Sequence, residues 1–428
     1  MKTFYIKTFG CQMNELDSEL IRQKLISEGY IESKSEKSAQ LILINTCSVR
    51  KKAEEKAIHF SREMKNKNKT VIMLGCLAQH KGEKLLKLSK ADLVIGTKSY
   101  EKLIDILLDF EKRKTKRAIC EDLGIFQLKS RKVREGEFSS YVNIQHGCDN
   151  FCTFCVVPYT RGREYSRNAN DILSEIKQLE EQGIIEIVLL GQNVDSYFDG
   201  KYDFADLLKL IEDNTKYIKR IKFTSPNPRD MSMKVIKTVA QSEKILRWIH
   251  LPLQSGSNKI LKRMNRGYTK EEYIHQALTI RDIIKDVSIT TDIIVGFPGE
   301  SEEDFRETLD VVNKVKYDGA YMFKYSPREG TPASLFKDQI DNETKGRRLR
   351  ELIDIVNINI QKRRKLMLNN EYEVLIEGIS EKDFGYSIGK TFNNISVIIK
   401  GMYKPGTFIR GIVKEIKGNT PILEKSGS

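Results

Sequence analysis

Short runs of apolar and β-branched residues recur over the first hundred positions, at Thr3–Phe9, Leu41–Asn45, Val71–Leu74 and Leu93–Ile95. Between them apolar residues return with helical spacing. Strand runs alternating with amphipathic helices predict a parallel sheet with helices around it. A second series, at Ser140–Ile144, Glu186–Leu190, Ile221–Thr224, Trp248–Leu251, Ile289–Val295 and Ala320–Tyr325, keeps the same alternation. Six such strands predict an incomplete βα barrel. Past residue 368 the pattern changes to β-type segments, Glu373–Ile376, Ile395–Ile399 and Phe408–Val413, broken by Gly and Asn. That reads as a small all-β barrel. The expected class is α/β with domains over residues 1–118, 135–365 and 368–428, the last of them all-β.

Composition narrows the setting. With 39% apolar and 31% charged residues in 428, the chain has the makings of a folded globular protein and not of a disordered one. No run approaches the roughly 18 apolar residues of a membrane span, and Met1-Lys2-Thr3-Phe4 lacks the pattern of a signal peptide. A cytoplasmic, monomeric protein with no membrane partner is expected. Its seven cysteines (Cys11, Cys47, Cys76, Cys120, Cys148, Cys152, Cys155) would stay reduced there, and an odd number suits a disulfide framework poorly. Thiolates for metal are the better reading.

The net charge of +14 is concentrated. Residues 112–134 hold nine Lys or Arg against Glu121 and Asp122, and residues 344–365 hold eight against Glu351 and Asp354. Both runs fall between the three series of strand-like runs and read as basic linkers that could meet phosphate backbones, with Arg347, Arg348, Arg363 and Arg364 as the candidate RNA contacts. The alternative is a solvated surface helix.

Cys148, Cys152 and Cys155 lie in His146-Gly147-Cys148-Asp149-Asn150-Phe151-Cys152-Thr153-Phe154-Cys155. Cys-x3-Cys-x2-Cys brings three thiolates round one tight loop, enough for three irons of a four-iron, four-sulfur cluster whose fourth iron stays open to a small molecule. A structural zinc site completed by His146 or Cys120 is the rival, although only one knuckle is present. The triplet follows the first strand of the barrel series, where ligand sites gather at strand carboxyl ends. Cys11, Cys47 and Cys76 each end a strand of the first series, about one βα unit apart, and so land on one edge of a parallel sheet. A second three-thiolate cluster is expected there, against the plainer reading of buried free cysteines. Cys120 fits neither set.

The Cys148 triplet resembles that of the radical S-adenosylmethionine superfamily, whose six-unit partial barrel matches the six strand runs. The resemblance implies bound S-adenosylmethionine, cleaved by a cluster electron to methionine and a 5′-deoxyadenosyl radical. It also implies that the loops Gly191-Gln192-Asn193 and Ile294-Val295-Gly296 hold that cofactor. With Thr8-Phe9-Gly10-Cys11-Gln12-Met13-Asn14, Asn45-Thr46-Cys47-Ser48-Val49-Arg50 and Gly75-Cys76-Leu77-Ala78-Gln79, nearly the whole chain is similar to the methylthiotransferases. Cys155-Val156-Val157-Pro158-Tyr159-Thr160-Arg161-Gly162-Arg163-Glu164 and Leu190-Gly191-Gln192-Asn193-Val194 resemble most the branch that modifies carbon 2 of N6-isopentenyladenosine beside the transfer RNA anticodon. Asp195 stands where that branch would have Asn. The last domain resembles the TRAM barrel, which binds RNA in this family.

What the family implies is two [4Fe-4S] clusters, S-adenosylmethionine, transfer RNA as substrate and an external donor such as flavodoxin or ferredoxin. No catalytic residue beyond the cluster ligands is legible; Tyr159 and Arg161 are candidates for recognising the adenosine. The other readings are a methylthiotransferase for threonylcarbamoyl-adenosine or a ribosomal-protein aspartate, and a non-catalytic iron-sulfur RNA-binding module.

Overall fold

The computed structural model describes residues 2–48, 51–124, 131–381 and 384–427. Val49 and Arg50 of the second cysteine segment, and residues 125–130 of the first basic run, lie outside them. The chain forms two compact units, one of residues 1–132, 141–149 and 155–165, the other of 133–140, 150–154 and 166–428.

The first unit opens with β1 (Thr3–Phe9), α1 (Gln12–Ser27), β2 (Ile31–Glu32), β3 (Leu41–Thr46) and α2 (Lys51–Asn66). It continues with β4 (Thr70–Gly75), α3 (Cys76–Ser89), β5 (Leu93–Gly96), α4 (Leu103–Arg113) and β6 (Arg117–Ile119). The strands pair in parallel in the order β2-β1-β3-β4-β5-β6. Alternation along β3 explains the layering. Leu41 and Leu43 join a core with Ile21, Leu25, Leu103 and Phe110 on one face, while Ile42 and Ile44 join Ala57, Met64, Leu77 and Leu85 on the other. Each fully buried Leu or Ile is worth roughly 1.5–3 kcal/mol of transfer free energy. The first basic run up to Ile119 is no linker: it closes α4 and then forms β6, the sheet's edge.

Next come β7 (Ser139–Asn143), β8 (Gln145–His146), α5 (Val157–Arg161) and β9 (Tyr165–Ser166). The second unit then supplies α6 (Ala169–Glu181), β10 (Glu186–Leu190), α7 (Phe204–Asn214), β11 (Arg220–Phe223), α8 (Met233–Gln241) and β12 (Trp248–His250). After these follow α9 (Asn258–Arg263), α10 (Lys270–Ile283), β13 (Ser288–Val295), α11 (Glu302–Val315) and β14 (Gly319–Lys324). β10 pairs in parallel with β11, and β12, β13 and β14 pair in parallel in that order, while β11 also bonds the segment leading into β12 through Ile221 N–H to Lys244. The helices start where side chains satisfy their first N–H groups: Asn168, Asp203, Ser232, Thr269 and Ser301 cap α6, α7, α8, α10 and α11.

The second basic run is likewise no linker but part of α12 (Asn342–Lys365), capped by Asp341 and burying Leu352, Val356 and Ile360. A closed barrel ends the chain, built of β15 (Glu371–Ile379), β16 (Tyr386–Thr391), β17 (Ser396–Lys400), β18 (Phe408–Lys417) and β19 (Thr420–Lys425) around Val374, Ile376, Val397, Ile399, Val413 and Leu423. It is fixed at the amino ends of the parallel strands of its own unit. Arg220, buried at the start of β11, donates to the Lys390 carbonyl at 2.8 Å and lies 5.1 Å from the Phe408 ring centroid. Arg247, just before β12, lies over Phe392, and Asn393 donates to the Asp286 carbonyl at 3.1 Å.

Candidate functional site

In the first unit, β1, β3 and β4 are neighbours, and Cys11, Cys47 and Cys76 stand just past their carboxyl ends. Cys11 caps α1: its thiol and the Asn14 side chain close a capping box, with the Cys11 N–H donating to Asn14 Oδ1 at 3.3 Å. Asn14 in turn donates to Asn45 at 3.1 Å, and Asn45 donates back to the Asn14 carbonyl at 2.8 Å, tying the end of β3 to α1. Gly75 is required ahead of Cys76. Its φ is +99°, and a Cβ would stand 2.4 Å from both Asn45 Oδ1 and the Thr46 carbonyl oxygen.

Cys47 and Cys76 are buried and Cys11 is exposed, so the set opens on the Cys11 side. A hydrogen bond from Cys47 lowers the Cys11 thiol to about 6 against the partial desolvation of its sulfur, helped by the Asn14 N–H and the charge of Arg161. Burial pushes Cys76 up, opposed by Arg161. Arg161 comes from the segment after Cys155. Its Nε–H donates to Cys76 Sγ at 3.2 Å, and its Nη1 and Nη2 donate to Asp17 at 3.2 and 2.6 Å. Buried Tyr100 completes the surroundings, its hydroxyl pushed well up by burial and then by Asp17. Three thiols, one already acidic, with a guanidinium against them suit an anionic iron-sulfur cluster. Among the described residues no three His, Cys, Asp or Glu side chains converge as on one metal ion; a four-iron cluster takes one thiolate per iron and so spreads its ligands further apart.

Of the second set, Cys148 and Cys155 belong to the first unit and Cys152 to the second. In the first, the Cys148 N–H donates to the Gly162 carbonyl at 3.3 Å, and Gly147, with φ +73°, leaves room for the Arg163 carbonyl oxygen, which would lie 2.1 Å from a Cβ. Cys155 Sγ accepts the Val157 N–H at 3.4 Å. In the second unit, Cys152 Sγ accepts from Arg266 Nη1 at 3.3 Å. Arg266 is buried, and its Nε donates to the Tyr268 hydroxyl at 3.0 Å. Asn265 donates to the Asn150 and Phe151 carbonyls at 3.0 and 3.2 Å, and the Thr153 N–H to the Met264 carbonyl at 3.0 Å. These bonds hold Phe151 at φ +45°, a left-handed conformation costing about 1–2 kcal/mol for a residue with a Cβ. Asp17 and Arg266 carry no sequence signal of their own. Each is a single charged residue whose partner is distant in the chain.

The proposed cofactor loops lie at the carboxyl ends of β10 and β13. Gly191 and Gln192 follow β10 directly; Asn193 is buried and donates to Asp230 at 2.8 Å. Asp195 accepts the Asn227 N–H with both oxygens, at 2.9 and 3.0 Å, a role its carboxylate suits. The Ile294 N–H donates to the Gln254 carbonyl at 2.9 Å, and its side chain packs with Phe154, Phe297 and Tyr325. Gly296 has φ +68°, and the place of a Cβ is taken by Lys345, whose Cγ would lie 2.3 Å away. Its close approach is to this chain's own α12.

Sequence reading missed a wall along one face of the sheet β12–β14. Ile249, Thr291 and Ile293 face the helices, so Trp248, His250, Thr290, Asp292 and Tyr321 face the other way. Trp248 Nε1 donates to Thr290 Oγ1 at 3.0 Å, His250 lies 3.4 Å from Asp292 and 6.1 Å from the Tyr321 ring, and Tyr321 is 57% exposed.

Of the four arginines expected to touch RNA, two are withdrawn from solvent. Arg348 is buried on Glu300 at 2.7 Å, and Arg364 is buried and donates to the Asp318 carbonyl at 2.7 Å. Arg363 is ion-paired with Asp318, and Arg347, half exposed, with Glu302 at 2.7 Å. Helical period sorts the run: one side of α12 is core, the other surface. Tyr159 is exposed, whereas Arg161 is turned to Cys76 and Asp17.

Residues 142–312 match the Radical SAM superfamily, and residues 3–96 match the Uncharacterized protein family UPF0004. The tRNA-2-methylthio-N(6)-dimethylallyladenosine synthase of Carboxydothermus hydrogenoformans is 45% identical over 412 residues, 94% of this chain and 93% of its own. The proteins of that name from Lachnoclostridium phytofermentans and Thermodesulfovibrio yellowstonii are 42% identical over 97% and 99% of this chain and 94% and 98% of theirs. In fold, the radical S-adenosylmethionine methyltransferase TsrM from Kitasatospora setae is similar, with a TM-score of 0.60 at 14% identity over 78% of this chain and 75% of that one. Identity at this level over nearly the whole length places the chain: it belongs to the tRNA-2-methylthio-N(6)-dimethylallyladenosine synthase family of the radical S-adenosylmethionine superfamily.

Proposed function

We propose that this protein adds a methylthio group to carbon 2 of N6-isopentenyladenosine beside the anticodon of transfer RNA. The observation that carries the reading is the convergence of Cys11, Cys47 and Cys76 at one sheet edge in a chain that also holds the Cys148, Cys152, Cys155 loop. Each set is taken to hold one [4Fe-4S] cluster. Residues Gly191, Gln192, Asn193, Ile294 and Gly296 are taken to line the S-adenosylmethionine site. Bound there, the clusters and S-adenosylmethionine supply the electron, sulfur and methyl group of the reaction.

The chain's own residues do the rest. Arg161 and Arg266 each place a buried cation against one cysteine sulfur. The Trp248, His250, Asp292 and Tyr321 wall offers aromatic faces and a carboxylate acceptor to a purine. We assign residues 1–118, 135–365 and 368–428 as domains, with the terminal barrel meeting RNA. On α12 the exposed cations Arg347, Arg350, Lys362 and Lys365 are the ones we assign to phosphate. A flavodoxin or ferredoxin would deliver electrons to a cytoplasmic, monomeric enzyme.

Nucleoside mass spectrometry of transfer RNA from cells lacking the gene, with and without its restoration, tests this. The reading expects 2-methylthio-isopentenyladenosine to vanish and its precursor to accumulate. Loss of a methylthiolated threonylcarbamoyl-adenosine or ribosomal aspartate in its place would overturn the substrate, and no change in any of them would overturn the activity.

A further inference from the structure

Arg161 closes α5, which begins two residues after Cys155, yet its guanidinium is buried beside a cysteine of the other set. Each nitrogen of the fork has a partner. Nε–H points at Cys76 Sγ, 3.2 Å away, and the two terminal nitrogens grip both oxygens of Asp17. The main chain leading to it is held too, with Thr97 Oγ1 donating to the Thr160 carbonyl at 2.5 Å and Lys98 covering Gly162. Arginine suits this place and lysine does not: only a planar fork donates to a sulfur along one edge and a carboxylate along another.

We infer that Arg161 is a positioning residue for the first cysteine set, fixing Cys76 Sγ and balancing negative charge there, so that the segment carrying Cys155 also tunes the centre held by Cys11, Cys47 and Cys76. Hydrogen bonds to ligand sulfurs and net local charge set the potentials of iron-sulfur centres, and a cation with an N–H on the sulfur favours the reduced, more negative state. Losing it should lower the reduction potential of that centre. Partners of this kind typically change metal affinity or activity about 10–100-fold. The inference rests on the proposed ligation by Cys11, Cys47 and Cys76.

The test uses the full chain, reconstituted anaerobically, with Cys148, Cys152 and Cys155 changed to Ala so that only the first centre is observed. Iron content, electron paramagnetic resonance and a redox titration are compared for this parent and for Arg161→Gln, Arg161→Lys and Asp17→Asn. The expected result is a lower potential and an altered resonance in Arg161→Gln, with Arg161→Lys between it and the parent. In the chain with all six cysteines, Arg161→Gln should lose methylthio transfer about 10–100-fold while S-adenosylmethionine cleavage persists. An unchanged spectrum and potential in Arg161→Gln would overturn the inference. If that variant cannot hold iron, Arg161→Lys and Asp17→Asn decide: shifted potentials support it, parental ones overturn it. A parent that assembles no first centre would instead refute the ligation on which the inference stands.

Discussion

Replacing Arg348 by Ser separates a structural cation from an RNA contact. Arg348 and Glu300 have side chains 5% and 1% exposed, joined at 2.7 Å, and the same guanidinium donates to the Glu300 carbonyl at 3.1 Å. Glu300 also accepts the Gly296 N–H at 2.9 Å, so the pair fixes the loop after β13 to α12. Removing one member of such a buried pair leaves the other charge uncompensated, at a cost of about 3–5 kcal/mol. For a unit of this size, at about 2–4 °C per kcal/mol, thermal unfolding of the full chain should come about 6–20 °C earlier. Changing both members, Arg348→Met with Glu300→Gln, should recover most of that loss, because no charge is left buried alone. The deficit should also depend on pH. Burial already raises the Glu300 carboxyl, and without Arg348 it rises further, so the folded state holds a proton the unfolded state has lost. Stability then falls as pH climbs from the unfolded value through the folded one, making the deficit smaller near about pH 5 than near about pH 8. Filter binding of transfer RNA at several salt concentrations completes the assay. An unfolding temperature equal to the parent's, with the salt slope flattened by about one unit, would refute the structural role and return Arg348 to the RNA.

Arg220→Ala should loosen the terminal barrel, since it removes this donor from the Lys390 and Thr391 carbonyls of β16 at about 1–3 kcal/mol; faster limited proteolysis near residues 366–370 is expected, and an unchanged rate would count against this anchor. Changing Cys148, Cys152 and Cys155 to Ala should remove about half the cluster iron and abolish S-adenosylmethionine cleavage, whereas changing Cys11, Cys47 and Cys76 should keep cleavage and stop methylthio transfer. First-set variants that still bind two full clusters would show the ligand assignment to be wrong. Tyr321→Ala should raise KM for RNA while cleavage without RNA stays at the parental rate; base stacking is worth about 1–3 kcal/mol, or roughly 5–150-fold, and an unchanged KM would remove Tyr321 from the base site.

Information local in the chain was readable from it. The strand runs sit where the parallel strands form, and Cys11, Cys47 and Cys76 end adjacent strands because a βα repeat returns the chain to the same sheet edge. The second basic run reads as a linker only while charge is counted along the chain. On α12, a period of 3.6 turns Arg348, Leu352, Val356 and Ile360 inward and leaves Arg347 and Arg350 outside. Partners at long range could not be read at all. Arg161 finds Asp17 across 144 positions and Arg220 finds Lys390 across 170. A guanidinium has the same sequence whether it meets solvent, phosphate or a buried carboxylate; which one it meets is settled only when packing removes the water around it.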